Sequence, residues 1–300
     1  MKDAVLRASA AASSSTRPPH YSVALQVNEG YYDLFCNWLH HFRTLGTSNE
    51  VWALVYGNHT YEVVARQLTP FYVMKAGVSI DGFHHFNSQS FNRLAFDKIQ
   101  LMKDVLDRTS KPVVFTDIDT VWLHNPFIKF AMPRGIAAVP EGYVHERTKE
   151  TVLFNFCTCF VVATHSRSSR AFLDRWQRFL SGDHSGAAAE EGDGGAGRTS
   201  ATVSSVMNEQ EAFNRILLGT HYRKRRAPIN MTALEAIDVF ALPHGPFPSG
   251  DSKAGVARRQ DITDEHTWVH ANWLRGHAAK VARLTELGLW HAACSERARR

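Results

Sequence analysis

The strongest constraint on this chain is the octapeptide Val113-Val114-Phe115-Thr116-Asp117-Ile118-Asp119-Thr120, where a short apolar run passes directly into two carboxylates flanking one apolar residue. A run this apolar and β-branched reads as a strand buried on both faces, the kind found in a parallel sheet covered by helices. Strand-like and helix-like stretches alternate ahead of it. Tyr21 to Val27 reads as a strand, Tyr31 to Leu45 as a helix closed by Gly46, Val51 to Tyr56 as a second strand, Tyr61 to Leu68 as a short helix and Phe91 to Leu106 as a longer one. This βαβα order predicts an α/β chain with a mostly parallel sheet and helices on both faces. In such sheets ligands sit beyond the carboxyl ends of the strands, so the polar strand ends are where chemistry is expected.

Downstream, Phe154 to Ala163 reads as another strand. Ser168 or Ser169 is placed to cap a helix carrying Phe172, Trp176 and Phe179 at helical spacing. Glu209 to Leu218 and Ala278 to Leu287 read as further helices, the last stopped by Gly288. A 300-residue chain that is 44% hydrophobic suits one large domain, spanning residues 20–292. Residues 1–19, rich in Ala and Ser, are expected to be a disordered tail with neither signal nor anchor. The Gly-, Ala-, Ser- and acid-rich stretch 181–206 is expected to be a disordered surface insertion, and 293–300 a basic tail.

Composition narrows the partners. The formal charge of +5 suits an anionic substrate, but the excess gathers at Arg223 to Arg226 and Arg297 to Arg300, too local to argue for nucleic acid. No run of about 18 apolar residues is present, so no membrane span is expected. Four cysteines are too few for a disulfide framework. Cys157 and Cys159, two apart on a strand, are expected to share a face as core thiols.

Three features point to chemistry. Asp117 and Asp119 at the exposed end of a buried strand can reach one hard divalent cation together, although acidic pairs also occur in solvated turns. Lys98 falls within the stripe formed by Phe91, Leu94, Ala95, Met102, Val105 and Leu106. Its ammonium either snorkels out to water or meets an anion such as a diphosphate at the strand ends. The segment Trp268-Val269-His270-Ala271-Asn272-Trp273-Leu274-Arg275-Gly276 offers an imidazole able to complete an ion's coordination, and Lys280 follows at a spacing suited to phosphate oxygens.

With these residues in place, the sequence resembles the nucleotide-diphospho-sugar transferases of GT-A fold, in particular the plant and algal α-xylosyl- and arabinosyltransferase type. The resemblance runs from about Tyr21 to Trp290 through ordered motifs: Asn28-x-Gly30-Tyr31 with Asn37-Trp38, Phe91 to Lys98, Asp117-x-Asp119 followed by Val121-Trp122-Leu123 and Asn125-Pro126, Glu209-Gln210 with Phe213-Asn214, and His270-Ala271-Asn272 with Gly276 and Lys280. It implies a Rossmann-like sheet and retaining transfer of a xylose-, arabinose- or galactose-class sugar from a UDP-sugar to a glycan or glycoprotein acceptor. Mn²⁺ (or Mg²⁺) would be held by Asp119, Asp117 and His270, with Asp117 otherwise on the donor ribose. Lys98 and Lys280 would neutralise the departing UDP, Asn28 and Tyr31 would contact the nucleotide, and Glu209 and Gln210 would face the reacting sugar. Relatives of this kind imply a Golgi lumenal setting, which the sequons Asn58-His59-Thr60 and Asn230-Met231-Thr232 would fit.

Two departures stand out. The family's Asn-x-Gly turn has lost its glycine around Asn155-Phe156-Cys157-Thr158-Cys159, and Glu209 occupies a position where aspartate is usual. Two other readings use the same residues. In a phosphohydrolase of the haloacid dehalogenase type Asp117 would be the nucleophile, but two βα units precede the loop and no late acidic cluster follows beyond Asp261-x-x-Asp264. The lost glycine motivates the other, a non-catalytic member that binds a nucleotide sugar or glycan.

Overall fold

Val113–Thr116 is buried at every position, as a strand covered on both faces must be. In the computed structural model, residues 20–67, 72–80, 89–128, 132–144, 151–181, 208–218, 238–242, 258–272, 274 and 276–294 are described. Nine strands are seen among them: β1 (Ser22–Val27), β2 (Glu50–Val55), β3 (Tyr72–Lys75), β4 (Val113–Thr116), β5 (Thr120–Trp122), β6 (Ile136–Val144), β7 (Thr151–Ala163), β8 (Val239–Ala241) and β9 (Trp268–His270). Six helices accompany them: α1 (Tyr32–Thr44), α2 (Asn58–Gln67), α3 (Gln89–Thr109), α4 (Arg167–Leu180), α5 (Glu209–Leu218) and α6 (His277–Glu286).

Seven strands form one sheet in the order β3-β2-β1-β4-β7-β6-β8. The pairs β3–β2, β2–β1 and β1–β4 are parallel, β4–β7 and β7–β6 antiparallel, and β6–β8 parallel. The chain moves outward from β1 to β3 and then returns to place β4 on the other side of β1. This reversal of strand order is a switch point, where a crevice opens at the carboxyl ends of β1 and β4.

Side-chain alternation fixes the two faces. Val23, Leu25 and Val27 of β1 join Val114 of β4 under Phe35, Trp38, Leu39 and Phe42 of α1. Ala24, Val113 and Phe115 point the other way, beneath Ile99, Met102 and Val105 of α3, Leu173 and Trp176 of α4 and Phe213 of α5. A third cluster joins Val121 of β5, Val269 of β9, Leu34 and the α6 residue Leu284.

Several boundaries differ from expectation. The second helix starts at Asn58, not Tyr61, so the first sequon lies in a helical turn, with Asn58 exposed and Thr60 buried. Helix α4 is capped by Ser166, whose hydroxyl accepts from the Ser169 backbone N–H; an N-cap bonds the amide three residues on, so Ser169 receives the cap. The strands β3, β5, β6, β8 and β9 were not foreseen. The tail 1–19, nearly all of the stretch 181–206, the basic residues 295–300, the Arg223–Arg226 cluster and the second sequon lie outside the described residues.

The cysteine expectation needs correction, because the four cysteines form two disulfides, Cys36–Cys294 and Cys157–Cys159. Sequence spacing hid the first, which ties α1 to the C-terminal segment across 258 residues. The second forms because β7 is irregular. Ala138 pairs with Val161 while the next β6 residue, Val139, pairs with Cys157, so β7 bulges between them. The bulge brings the two Cα atoms to 5.3 Å, within bridging range, whereas a regular strand would hold them roughly 6.7 Å apart. By loop-closure entropy the long bridge contributes about 5 kcal/mol and the three-residue ring only about 1–2 kcal/mol.

Candidate active site

The acidic loop after β4 is held from three sides. The Asp117 N–H donates to the Cys159 carbonyl at 2.9 Å, fastening the loop to β7. The Thr120 hydroxyl donates to the Asp117 carbonyl at 2.6 Å and lies 3.0 Å from the Thr116 hydroxyl, which also accepts from the Trp122 indole N–H at 3.3 Å. Then β5 pairs antiparallel with β9, setting Thr120 opposite His270, and the Ala271 N–H donates to the Asp119 carbonyl at 3.0 Å. This two-stranded ribbon brings His270 to Asp119 across 151 positions of sequence, with the imidazole Nε2 3.2 Å from Asp119 Oδ1.

Asp117, Asp119 and His270 each present a ligand atom, and these lie within 4.8 Å of one another. Two carboxylates and an imidazole form a donor set suited to Mn²⁺ or a similar divalent ion. Lys280 donates to Asp119 Oδ2 from the opposite side, a contact in which a cation already satisfies the carboxylate. Burial alone would raise the Asp119 pKa, yet Lys280 and then His270 outweigh it and hold the carboxyl below the ordinary range. Asp117, whose side chain keeps 39% exposure, is shifted the other way: burial, with Asp119 and Glu209 nearby, raises its pKa against the pull of Lys98 and His270.

Lys98 sits where the helical stripe put it. Its side chain is 3% exposed, and its Nζ lies 3.8 Å from Asp117 Oδ1, 3.6 Å from Glu209 Oε1 and 4.3 Å above the Phe115 ring. The snorkelling alternative is thereby set aside. Lys280 owes its position to the start of α6. Gly276 precedes that helix at φ +85°, a conformation side chains disfavour. His277, the first helical residue, lies 2.6 Å from the buried Asp33 carboxylate of α1. One turn later, Lys280 faces the acidic loop.

Asn28, Tyr31, Lys98, Asp117, Asp119, Glu209 and Lys280 line one recess at the carboxyl ends of β1 and β4. His270 stands behind it, buried and reached through Asp119. Gln210 is placed elsewhere: its amide donates at 3.3 Å to Glu141 Oε2, which also accepts from Asn155 at 2.7 Å, while Glu141 Oε1 accepts from Asn272 at 3.5 Å. Burial raises the Glu141 pKa, opposed by Asn155, His270 and Asn272. Glu209 opens α5, accepts at Oε1 from the Thr158 hydroxyl at 3.4 Å, and has a buried Oε2 with no partner among the described residues.

Sequence reasoning missed Glu141, Gln26 and Tyr56. Gln26 donates to the Tyr56 hydroxyl and to the Leu94 carbonyl, both at 2.9 Å, and Tyr56 donates to Asp97, so this chain of bonds forms the recess wall beside Lys98. Tyr56 directly follows β2 as Asn28 directly follows β1, a parallel that was available in the sequence. Other motif residues prove structural. Asn37 Oδ1 accepts from the His291 N–H at 2.7 Å, Asn125 Oδ1 accepts from the Tyr21 hydroxyl and the Phe127 N–H at 3.1 Å each, and Asn214 bonds both backbone groups of Phe156.

Comparisons with known proteins bear on the family and the fold. The sequence profile of the nucleotide-diphospho-sugar transferases matches residues 50–284. Two enzymes of Arabidopsis thaliana are similar: UDP-D-xylose:L-fucose alpha-1,3-D-xylosyltransferase 1, 24% identical over 224 residues covering 68% of this chain, and a UDP-D-xylose:L-fucose alpha-1,3-D-xylosyltransferase, 22% identical over 223 residues covering 69%. The chain matches 52% of the length of each, so it spans about half of these curated relatives. Among solved structures, galactosyltransferase LgtC in complex with donor and acceptor sugar analogs superposes with a TM-score of 0.53 at 12% identity, over 90% of this chain and 96% of that one. At that identity the likeness speaks for the fold alone, which is GT-A.

Proposed function

The chain belongs to the nucleotide-diphospho-sugar transferase family, and from that premise we propose that it transfers a sugar, with retention of anomeric configuration, from a UDP-sugar to a glycan or glycoprotein acceptor. A pentose or galactose-class donor is favoured, in keeping with the xylosyl donors named for the Arabidopsis relatives. The observation that carries the reading is the convergence of Asp117, Asp119 and His270 with the ammonium groups of Lys98 and Lys280 at one strand-end crevice.

The chemistry follows from charge. As the glycosidic bond breaks, the diphosphate takes up negative charge, and fixed positive groups in a water-poor recess stabilise it. A Mn²⁺ ion held by Asp117, Asp119 and His270 would supply Lewis-acid charge to the diphosphate oxygens. Lys280, whose ammonium pairs with Asp119 at the edge of the recess, would counter the charge of the diphosphate. Lys98 would counter the same charge from beneath, its ammonium already oriented by Asp117 and Glu209. Asn28 and Tyr31, at the end of β1, would hold the nucleotide. Glu209, with its free buried oxygen, would face the reacting carbon of the sugar, and Gln210 with Glu141 and Asn272 would orient the sugar hydroxyls or the acceptor. A disulfide between α1 and the C-terminal segment supports a lumenal setting such as the Golgi. No helix among the described residues is long and apolar enough to cross a membrane.

The test is UDP release across a panel of UDP-sugars with Mn²⁺ and no acceptor, beside Asp119→Ala and EDTA controls. Slow hydrolysis of one donor, absent in both controls, names the sugar. Silence toward every donor, together with UDP binding indifferent to Mn²⁺, overturns the reading.

A further inference from the structure

The bulged segment of β7 carries Cys157 and Cys159 on the face that meets His270, and one ligand atom of each of the three lies within 4.8 Å of the others, all buried. The same imidazole belongs to the Asp117 and Asp119 group. His270 therefore stands between two soft sulfur donors and two hard oxygen donors, and imidazole suits either partner. We propose that Cys157 and Cys159, once their disulfide is opened, form with His270 a site for a soft divalent ion of the zinc class. An ion seated there withdraws His270 from the carboxylates.

Three observations carry this. A tetrahedral ion bound at about 2.3 Å from sulfur and about 2.0 Å from nitrogen needs donors roughly 3.5 Å apart, which sulfur and imidazole groups already this close reach by small rotations. The Cys159 backbone N–H already donates to Cys157 Sγ at 3.4 Å, the kind of outer contact that orients a metal-ligating side chain. Only Thr158 separates the bridged cysteines, while β7 is held by ladders to β4 and β6 on either side, so opening the bridge leaves the strand in place. An external dithiol or phosphine supplies the electron pair that breaks the S–S bond. It leaves two thiols on the protein and is itself oxidised, and metal binding then releases the two thiol protons.

Binding at the sulfur pair stands apart from the proposed transferase reading, whereas competition for His270 rests on it. The experiment separates the two. Full-length protein is reduced with a phosphine, freed of it and titrated with Cd²⁺, following the ultraviolet thiolate-to-cadmium charge-transfer band. We expect no band from the oxidised protein and a one-to-one band from the reduced protein. That band should vanish in Cys157→Ser and in Cys159→Ser, and persist when Cys36 and Cys294 are both replaced by serine. Alkylating the reduced wild type should abolish it as well, a check independent of whether the serine variants fold. No band on reduction, or a band surviving in the Cys157→Ser/Cys159→Ser protein, overturns the site. In the second arm, electron paramagnetic resonance follows bound Mn²⁺ as Zn²⁺ is added. Displacement from reduced wild type but not from Cys159→Ser supports the competition. A cadmium band without displacement keeps the sulfur pair as a site and overturns the competition for His270.

Discussion

The two halves of the main sheet handle polarity in different ways. In β3-β2-β1-β4 the strands run parallel, so their carboxyl ends share one edge, and the polar residues Asn28, Tyr56, Asp117 and Asp119 collect just beyond it. In β7-β6-β8 the neighbours β7 and β6 are antiparallel, and the polar or sulfur-bearing residues sit inside the strands: Glu141 on β6, with Asn155, Cys157, Thr158 and Cys159 on β7. Those positions flank two register shifts, after Ala138 and after Glu141. A parallel half presents function by direction alone. An antiparallel half runs past the site and relies on bulges to re-aim chosen side chains.

This contrast predicts that the parallel half governs nucleotide and metal binding while the β7 and α5 side governs turnover. The sharpest break is Asp119→Asn. It should lower donor hydrolysis by about 10³-fold or more and remove the Mn²⁺ dependence of UDP affinity, both read by calorimetry and UDP release. Glu209→Gln should cost turnover on the order of 10²–10³-fold while UDP affinity holds; an equal loss of UDP binding would dissolve the distinction between the halves.

Lys98→Met should weaken UDP binding by roughly 100-fold and, by leaving Asp117 and Glu209 without their buried cation, destabilise the fold by about 3 kcal/mol in denaturant titration. Gly276→Ala places a side chain at φ +85° and should cost about 1–2 kcal/mol. Its UDP affinity should fall as well, because α6 carries Lys280. The smallest effect concerns acid. A carboxyl depressed in the folded state contributes stability above its unfolded pKa and loses it as pH falls, so wild type should lose stability below about pH 4 more steeply than Asp119→Asn in thermal melts.

Legibility followed the same division. The parallel half could be read because each of its signals is local: the apolar run of β4, the stripe that buries Lys98, and Gly46 and Gly288 at positive φ just past α1 and α6. The short strands β5 and β9 could not be read. Three residues carry no periodicity, and each exists only because the other pairs with it. The Glu141 network was also invisible, since its four members come from β6, β7, α5 and the segment after β9.

By itself the sequence determined the opening alternation of β1, α1, β2 and α2, the buried strand that ends in Asp117 and Asp119, and the inward face on which Lys98 lies, because those depend on spacings of two to four residues. Tertiary structure alone decided that His270 meets Asp119, that Cys36 reaches Cys294, and that Cys157 and Cys159 close on each other beside the site. Those outcomes depend on strand pairing across more than a hundred residues and on a register shift, and no local pattern of side chains encodes a register set by its neighbours.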